Sequence, residues 1–196
     1  RHLQETRTAD NADRIPLLLA ESQLLRDAGK IREAFELLDT RLAAQPEQPE
    51  LLYESALLAE KLGRQDVLET NLRKLIRIKP DHAHAYNALG YSLAERNQRL
   101  AEAEQLIAKA LQLSPDDPFI TDSMGWVLYR KGDTAGALTY LQRAYSIRPD
   151  PEIAAHLGEV LWVVGRRDEA KMTWQEAAKA HPGNEVLTEV IKHFSP

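Results

Sequence analysis

The stretch "DSMGWVLYRKGDTAGALTYLQRAYSIRP", residues 122–149, reads as two amphipathic helices with a turn between them and a stop at the end. Gly132 stands where the first helix must finish, because glycine takes the left-handed cap conformation without a Cβ penalty. Asp133 follows as an N-cap for the second helix, and Pro149 closes it. The same grammar recurs in "NALGYSLAERNQRLAEAEQLIAKALQLSP", residues 87–115, and then along most of the chain. Prolines at Pro46, Pro80, Pro115, Pro149 and Pro182 each end an amphipathic stretch, at a spacing of roughly 34 residues.

Aligned on those prolines, other positions fall into columns. Gly29, Gly63, Gly132 and Gly165 mark the turns. Gly90, Gly125 and Gly158, with Ser22 and Ala56 in the two earlier repeats, form a small-residue column in mid-helix, where two helices must approach closely. Ala34, Ala103, Ala137 and Ala170 form another, with Leu68 as its exception. Large apolar residues recur at helical spacing around them, as Leu89, Leu93, Leu106, Ile107, Leu111 and Leu113 do in the third repeat. The expected architecture is all-α, with five helix-turn-helix repeats at 15–48, 49–82, 83–117, 118–150 and 151–184. The first two fit the pattern least well, and one extra residue falls near Asn97, Gln98 and Arg99. Residues 1–14 read as the remnant of a preceding repeat, and 185–196 as a C-terminal capping helix begun by Asn184, since a stacked array must cover its end face.

These columns make the chain resemble the tetratricopeptide repeat (TPR) family. The resemblance implies a right-handed superhelical solenoid whose first helices line a concave groove, and a function in holding a protein or extended peptide rather than in catalysis. Four strings, "LLYESALLAEKLGR", "NALGYSLAER", "DSMGWVLYRKG" and "DPEIAAHLGEVLWVVGRRDEA", also resemble a narrower group: TPR lipoproteins of the proteobacterial outer membrane that act as adaptors of a carboxy-terminal processing protease. That likeness implies a periplasmic location, anchored through a segment upstream of Arg1, and a protease or its substrates as partners. Without it, a cytoplasmic location is the expectation.

Composition narrows the function classes. Of 196 residues, 43% are hydrophobic and 28% charged, enough apolar content for a packed core and far from the signature of disorder. The formal net charge of -5, with Lys and Arg scattered, offers no basic field for a phosphate backbone, so nucleic acid is not an expected partner. No apolar run is long enough to span a bilayer, so direct membrane insertion by this segment is not expected. The absence of cysteine excludes disulfides, thiolate metal sites and a cysteine nucleophile.

In this family the fifth, ninth, twelfth and thirteenth residues of a repeat face the groove. The candidate peptide-binding residues are therefore Asn87, Tyr91 and Glu95 in the third repeat, Asp122, Trp126, Tyr129 and Arg130 in the fourth, and Glu159 and Trp162 in the fifth, with His156 added as its sixth residue. Tyr91, Trp126, Tyr129 and Trp162 would make an aromatic strip suited to an interface, with at least two of the rings exposed. Packing between neighbouring first helices is the competing role for each ring, and Trp174 on a second helix belongs to the core. Some TPR domains clamp a terminal carboxylate with a lysine at the fifth position. Here that position holds Leu19, Tyr53, Asn87, Asp122 and Ala155, so the clamp is missing. Asn87 and Asp122 could bond the backbone of an extended segment instead, or be solvated.

No cofactor, metal or catalytic residue is expected. His82 and His84 lie two apart at a helix start and point to different faces, so they read as helix-start residues rather than ligands. Asp116, Asp117 and Asp133 read as helix starts and caps. No nucleophile-elbow, phosphate-loop or dinucleotide motif occurs. The alternative to a groove binder is a structural segment that self-associates through its convex face or ends.

Overall fold

Helix boundaries in the structure, a computed structural model that describes residues 14–194, fall where the turn chemistry puts them. Eleven helices form among the described residues: α1 Ile15–Asp27, α2 Ile31–Ala44, α3 Pro49–Lys61, α4 Gln65–Ile78, α5 Ala83–Glu95, α6 Leu100–Leu113, α7 Pro118–Arg130, α8 Thr134–Ile147, α9 Pro151–Val163, α10 Arg167–Ala180 and α11 Glu185–Phe194. They make five helix pairs and a closing helix, and no strand occurs among them. Apart from Arg14, the remnant read at 1–14 lies outside the described residues, as do Ser195 and Pro196.

Proline opens α3, α7 and α9, where its fixed φ suits the first turn and its missing N–H is no loss. Asp117 accepts from the N–H groups of Phe119 and Ile120, Asp133 from Gly136, Asp150 from Glu152, and Asn184 from Leu187, each meeting a donor the helix leaves unpaired. Asp116, next to Asp117, is solvent-exposed and instead pairs with Arg143. Gly29, Gly63, Gly132 and Gly165 all have positive φ, as the turn column requires. The third repeat has no glycine there. Asn97 and Arg99 take φ of 54° and 45° in its place, which accommodates the extra residue.

The chain divides into two compact units, Arg1–Ala85 and Tyr86–Pro196. In the first, Leu51, Leu52, Leu58, Leu68, Leu72 and Leu75 make the core, and the small residues Ser22 and Ala56 are buried. Asn71 Nδ2 donates to the buried Ser55 Oγ at 3.1 Å, so this hydroxyl is not left unpaired. His82 Nδ1 accepts from the N–H of Ala85 at 3.1 Å, the helix-start role expected of it.

The second unit holds the rest of α5, together with α6 to α11. The mid-helix glycines are contact points. A Cβ on Gly90 would stand 2.7 Å from Ile107 Cγ1 on α6, and one on Gly125 would stand 2.6 Å from Leu141 Cγ on α8. At Gly158 it would meet the indole of Trp174 on α10. Ala103, Ala137 and Ala170 are fully buried opposite them. The closing helix α11 covers the end of this stack. Leu187 is buried in the same core cluster as Trp174, with Val190, Ile191 and Phe194 packed against it. Removing a side chain such as Leu187 from water contributes roughly 1.5–3 kcal/mol.

Candidate functional site

One helical register places polar side chains where three first helices of the second unit, α5, α7 and α9, come together. Asp122 is the fifth residue of its repeat and His156 the sixth of the next. Their side chains meet, with His156 Nδ1 2.8 Å from Asp122 Oδ2. On the other side of the ring, His156 Nε2 lies 3.4 Å from the Tyr91 hydroxyl. The imidazole stacks on Trp126, with ring centroids 4.2 Å apart and planes at 19°. Trp126 Nε1 donates to Glu95 Oε2 at 2.8 Å, and Tyr129 lies against Trp126 with centroids 5.3 Å apart. The Arg130 guanidinium stands over the indole at 5.8 Å. His156 thus ties together side chains from all three helices.

Burial differs sharply within this cluster. Trp126 is only 4% exposed and is a core ring. The Asp122 side chain is 7% exposed and that of His156 15%. Tyr91, Tyr129, Arg130 and Glu159 keep partial exposure, and Glu95 is exposed. Two covered oxygens, Asp122 Oδ1 and Asn87 Oδ1, find no hydrogen-bond partner among the described residues. They occupy the same position in successive repeats. Covered acceptors without donors are uncommon in proteins, and each such case marks a place where a ligand or water can contribute.

The electrostatics follow from this crowding. Burial acts to lower the pKa of His156, but the charge and hydrogen bond of Asp122, then the charges of Glu95 and Glu159, outweigh it and hold the imidazole above its ordinary value. Burial, followed by the charge of Glu159 and a hydrogen bond to it, pushes the Tyr129 phenol up, against the opposing charge of Arg130. An Asp–His pair is the base half of a nucleophilic triad, but the group facing Nε2 is the Tyr91 phenol rather than a serine or threonine hydroxyl. No group of three or more His, Asp or Glu side chains among the described residues could hold a metal ion.

Of the expected residues, Tyr91, Glu95, Asp122, Trp126, Tyr129, Arg130, His156 and Glu159 form one linked cluster. Trp162 does not join it. Its ring packs at the closing end, 5.9 Å from Trp174 and 6.1 Å from Phe194, with Arg167 and Lys171 over its face. Of the four aromatic rings expected to line the groove, Trp126 is covered, Trp162 is half-buried at the end cap, and Tyr91 and Tyr129 are half-buried beside the polar cluster. Sequence reasoning named the residues but missed the Asp122–His156 contact. The available signal was the 34-residue separation of the two, about one repeat.

Comparison with known proteins agrees with the helix-pair architecture. The tetratricopeptide repeat family model matches residues 19–67, 68–118 and 123–185. The TPR repeat-containing protein PA4667 of Pseudomonas aeruginosa is 46% identical over 145 residues, which are 74% of this chain and 25% of that protein. The chain thus spans about a quarter of the length of this curated relative. Among solved structures, the thermophilic TPR protein TTC0263 of Thermus thermophilus superposes with a TM-score of 0.81 at 23% identity, covering 90% of this chain and 97% of its own. The Cut9–Hcn1 hetero-tetramer of APC/C contains a chain matching with a TM-score of 0.79 at 19% identity, over 96% of this chain and 39% of that one. With helix pairs, turn glycines and a family model matched over most of its length, the chain belongs to the tetratricopeptide repeat family.

Proposed function

We propose that this chain is a protein-binding scaffold that holds an extended segment of another protein on the first-helix face of its second unit. The observation that carries the reading is the solvent-facing edge of the cluster, where the acceptor oxygens of Glu95 and Glu159 lie beside the partly exposed rings of Tyr91 and Tyr129. An extended segment has backbone N–H groups to satisfy, and aromatic rings beside such acceptors supply contact area at low entropic cost. The TPR fold generally serves protein association rather than catalysis, so the reading is non-enzymatic.

The more specific form of the proposal is an adaptor for a carboxy-terminal processing protease, presenting the protease or its substrates, in the periplasm and anchored to the outer membrane by a segment upstream of Arg1. It rests on the four strings quoted above. Fractionation of the tagged full-length protein tests the location. Recovery only in the cytoplasm would remove this form while leaving the scaffold reading intact.

Site-specific photocrosslinking in the native host tests the scaffold itself. A photoreactive residue at Tyr129 should give a crosslinked partner, whereas one at the exposed second-helix residue Thr139 should not. Adducts formed only at Thr139, with the mass of two copies of the chain, would favour the self-associating alternative. Tyr129 is the better probe because truncating the covered Trp126 would also cost fold stability, about 3–5 kcal/mol for a core aromatic.

A further inference from the structure

Donors and acceptors in the second unit's cluster are out of balance. The Trp126 N–H goes to Glu95, the Tyr129 hydroxyl to Glu159, and His156 pairs through Nδ1 with Asp122. Arg96, just past the end of α5, is turned back onto that helix, donating to Ser92 O at 2.9 Å. What remains is acceptor capacity: the carboxylates of Glu95 and Glu159, both on residues with solvent access, and the covered Oδ1 of Asp122. The Arg130 guanidinium in this cluster lies over the Trp126 ring. The negative field of the carboxylates already shows at His156, which it holds in its charged form further up the pH scale despite burial.

We infer that this face selects a segment carrying a lysine or arginine side chain, which donates to Glu95 and Glu159 beside the Tyr91 and Tyr129 rings. The inference rests on the groove reading and gives it a ligand chemistry. Charge-assisted hydrogen bonds are roughly twice as strong as neutral ones, and a cation over a tyrosine face adds to them. The charge of covered Asp122 is directed at His156, whereas Glu95 and Glu159 would repel a ligand's terminal carboxylate. The specificity is the reverse of a carboxylate clamp.

The test is selection of a phage-displayed random peptide library on the intact chain, followed by titration of the enriched peptides. Lys or Arg should be enriched at one position of the bound pool. Replacing that residue by Gln should weaken binding about tenfold or more, the usual scale for a lost charged hydrogen bond. Glu95→Gln and Glu159→Gln, both at partly or fully exposed sites that tolerate a neutral isostere, should each weaken it similarly, and added salt should do the same. Amidating the peptide's carboxy terminus should not reduce affinity. A pool without basic enrichment that still depends on Tyr129 would overturn the cation inference and leave the groove standing. A pool indifferent to Tyr129→Ala, or no captured pool, would overturn both.

Discussion

Gly158→Ala should destabilise the second unit, although alanine is the better helix former. A Cβ built at this position lies 2.6 Å from Trp174 Cδ1 and closer still to Nε1 and Cε2. The indole cannot easily step aside. It is 1% exposed, its N–H reaches Ala155 O at 3.4 Å, and Phe194 and Trp162 flank it at 5.7 Å and 5.9 Å. Overpacking of this kind costs about 1–3 kcal/mol, against a propensity gain of up to about 1 kcal/mol. Three ring atoms in conflict place the cost in the upper half of that range, for a net loss of about 1–2 kcal/mol. All three tryptophans, Trp126, Trp162 and Trp174, lie in the second unit, so tryptophan fluorescence during urea unfolding reads that unit alone. In a Trp174→Leu background the obstruction is gone, and Gly158→Ala should become neutral or stabilising. An unchanged or raised midpoint for Gly158→Ala in the wild-type background would refute the close-contact reading of the glycine column.

Gly125→Ala, facing Leu141 Cγ and Ala137 O, should likewise fail to raise the thermal midpoint, and Gly125→Leu should lower it by an amount equivalent to about 1–3 kcal/mol. Because the folded-state pKa of His156 lies above its ordinary value, its contribution to stability is complete below about pH 6.5 and is lost as pH rises through the folded value. Urea midpoints of the second unit should therefore fall over that window, and Asp122→Asn should flatten the fall, since Asp122 is the largest influence raising the pKa. Asp117→Ala should cost about 1 kcal/mol by removing the cap that serves the N–H groups of Phe119 and Ile120, measured by the same unfolding curves.

The fold was legible because its signals are local and repeated. A turn glycine needs only positive φ and a cap needs only a short side chain at the right place, and the glycine recurs in four of the five repeats, so a weak signal at one repeat is corrected by the others. Gly132 with Asp133 is such a pair, and the structure uses both. Even the break in the pattern near Asn97 was visible, although Arg99 taking a left-handed conformation was not, since nothing in the residue type asks for it. The site was less legible because it depends on contacts between repeats. Register named Asp122, Trp126 and His156, but could not say that the indole would be covered by the imidazole and its N–H spent on Glu95. Trp162 shows the same limit. It occupies the twelfth position as Tyr129 does, yet its neighbour is the closing helix and not another repeat, so Phe194 and Trp174 claim its ring.

The cluster's burial has a consequence for how binding must be measured. In an open groove, site residues can be truncated with little effect on folding. Here His156 and Trp126 link three first helices, so the same side chains set both the proposed ligand field and the local stability of the stack. A substitution at either would lower affinity through folding even if it touched no ligand. The two effects separate at the cluster's edge, where Glu159 and Glu95 reach solvent while Asp122 does not. Linkage works in the opposite direction too: a cationic segment that binds only the folded unit raises its stability by mass action. His156 works against that stabilisation at low pH, since a protonated imidazole offsets one carboxylate. Affinity for a basic segment should therefore rise with pH through the His156 transition, while the stability of the unliganded unit falls, and a parallel rather than opposed pair of profiles would remove His156 from any part in binding.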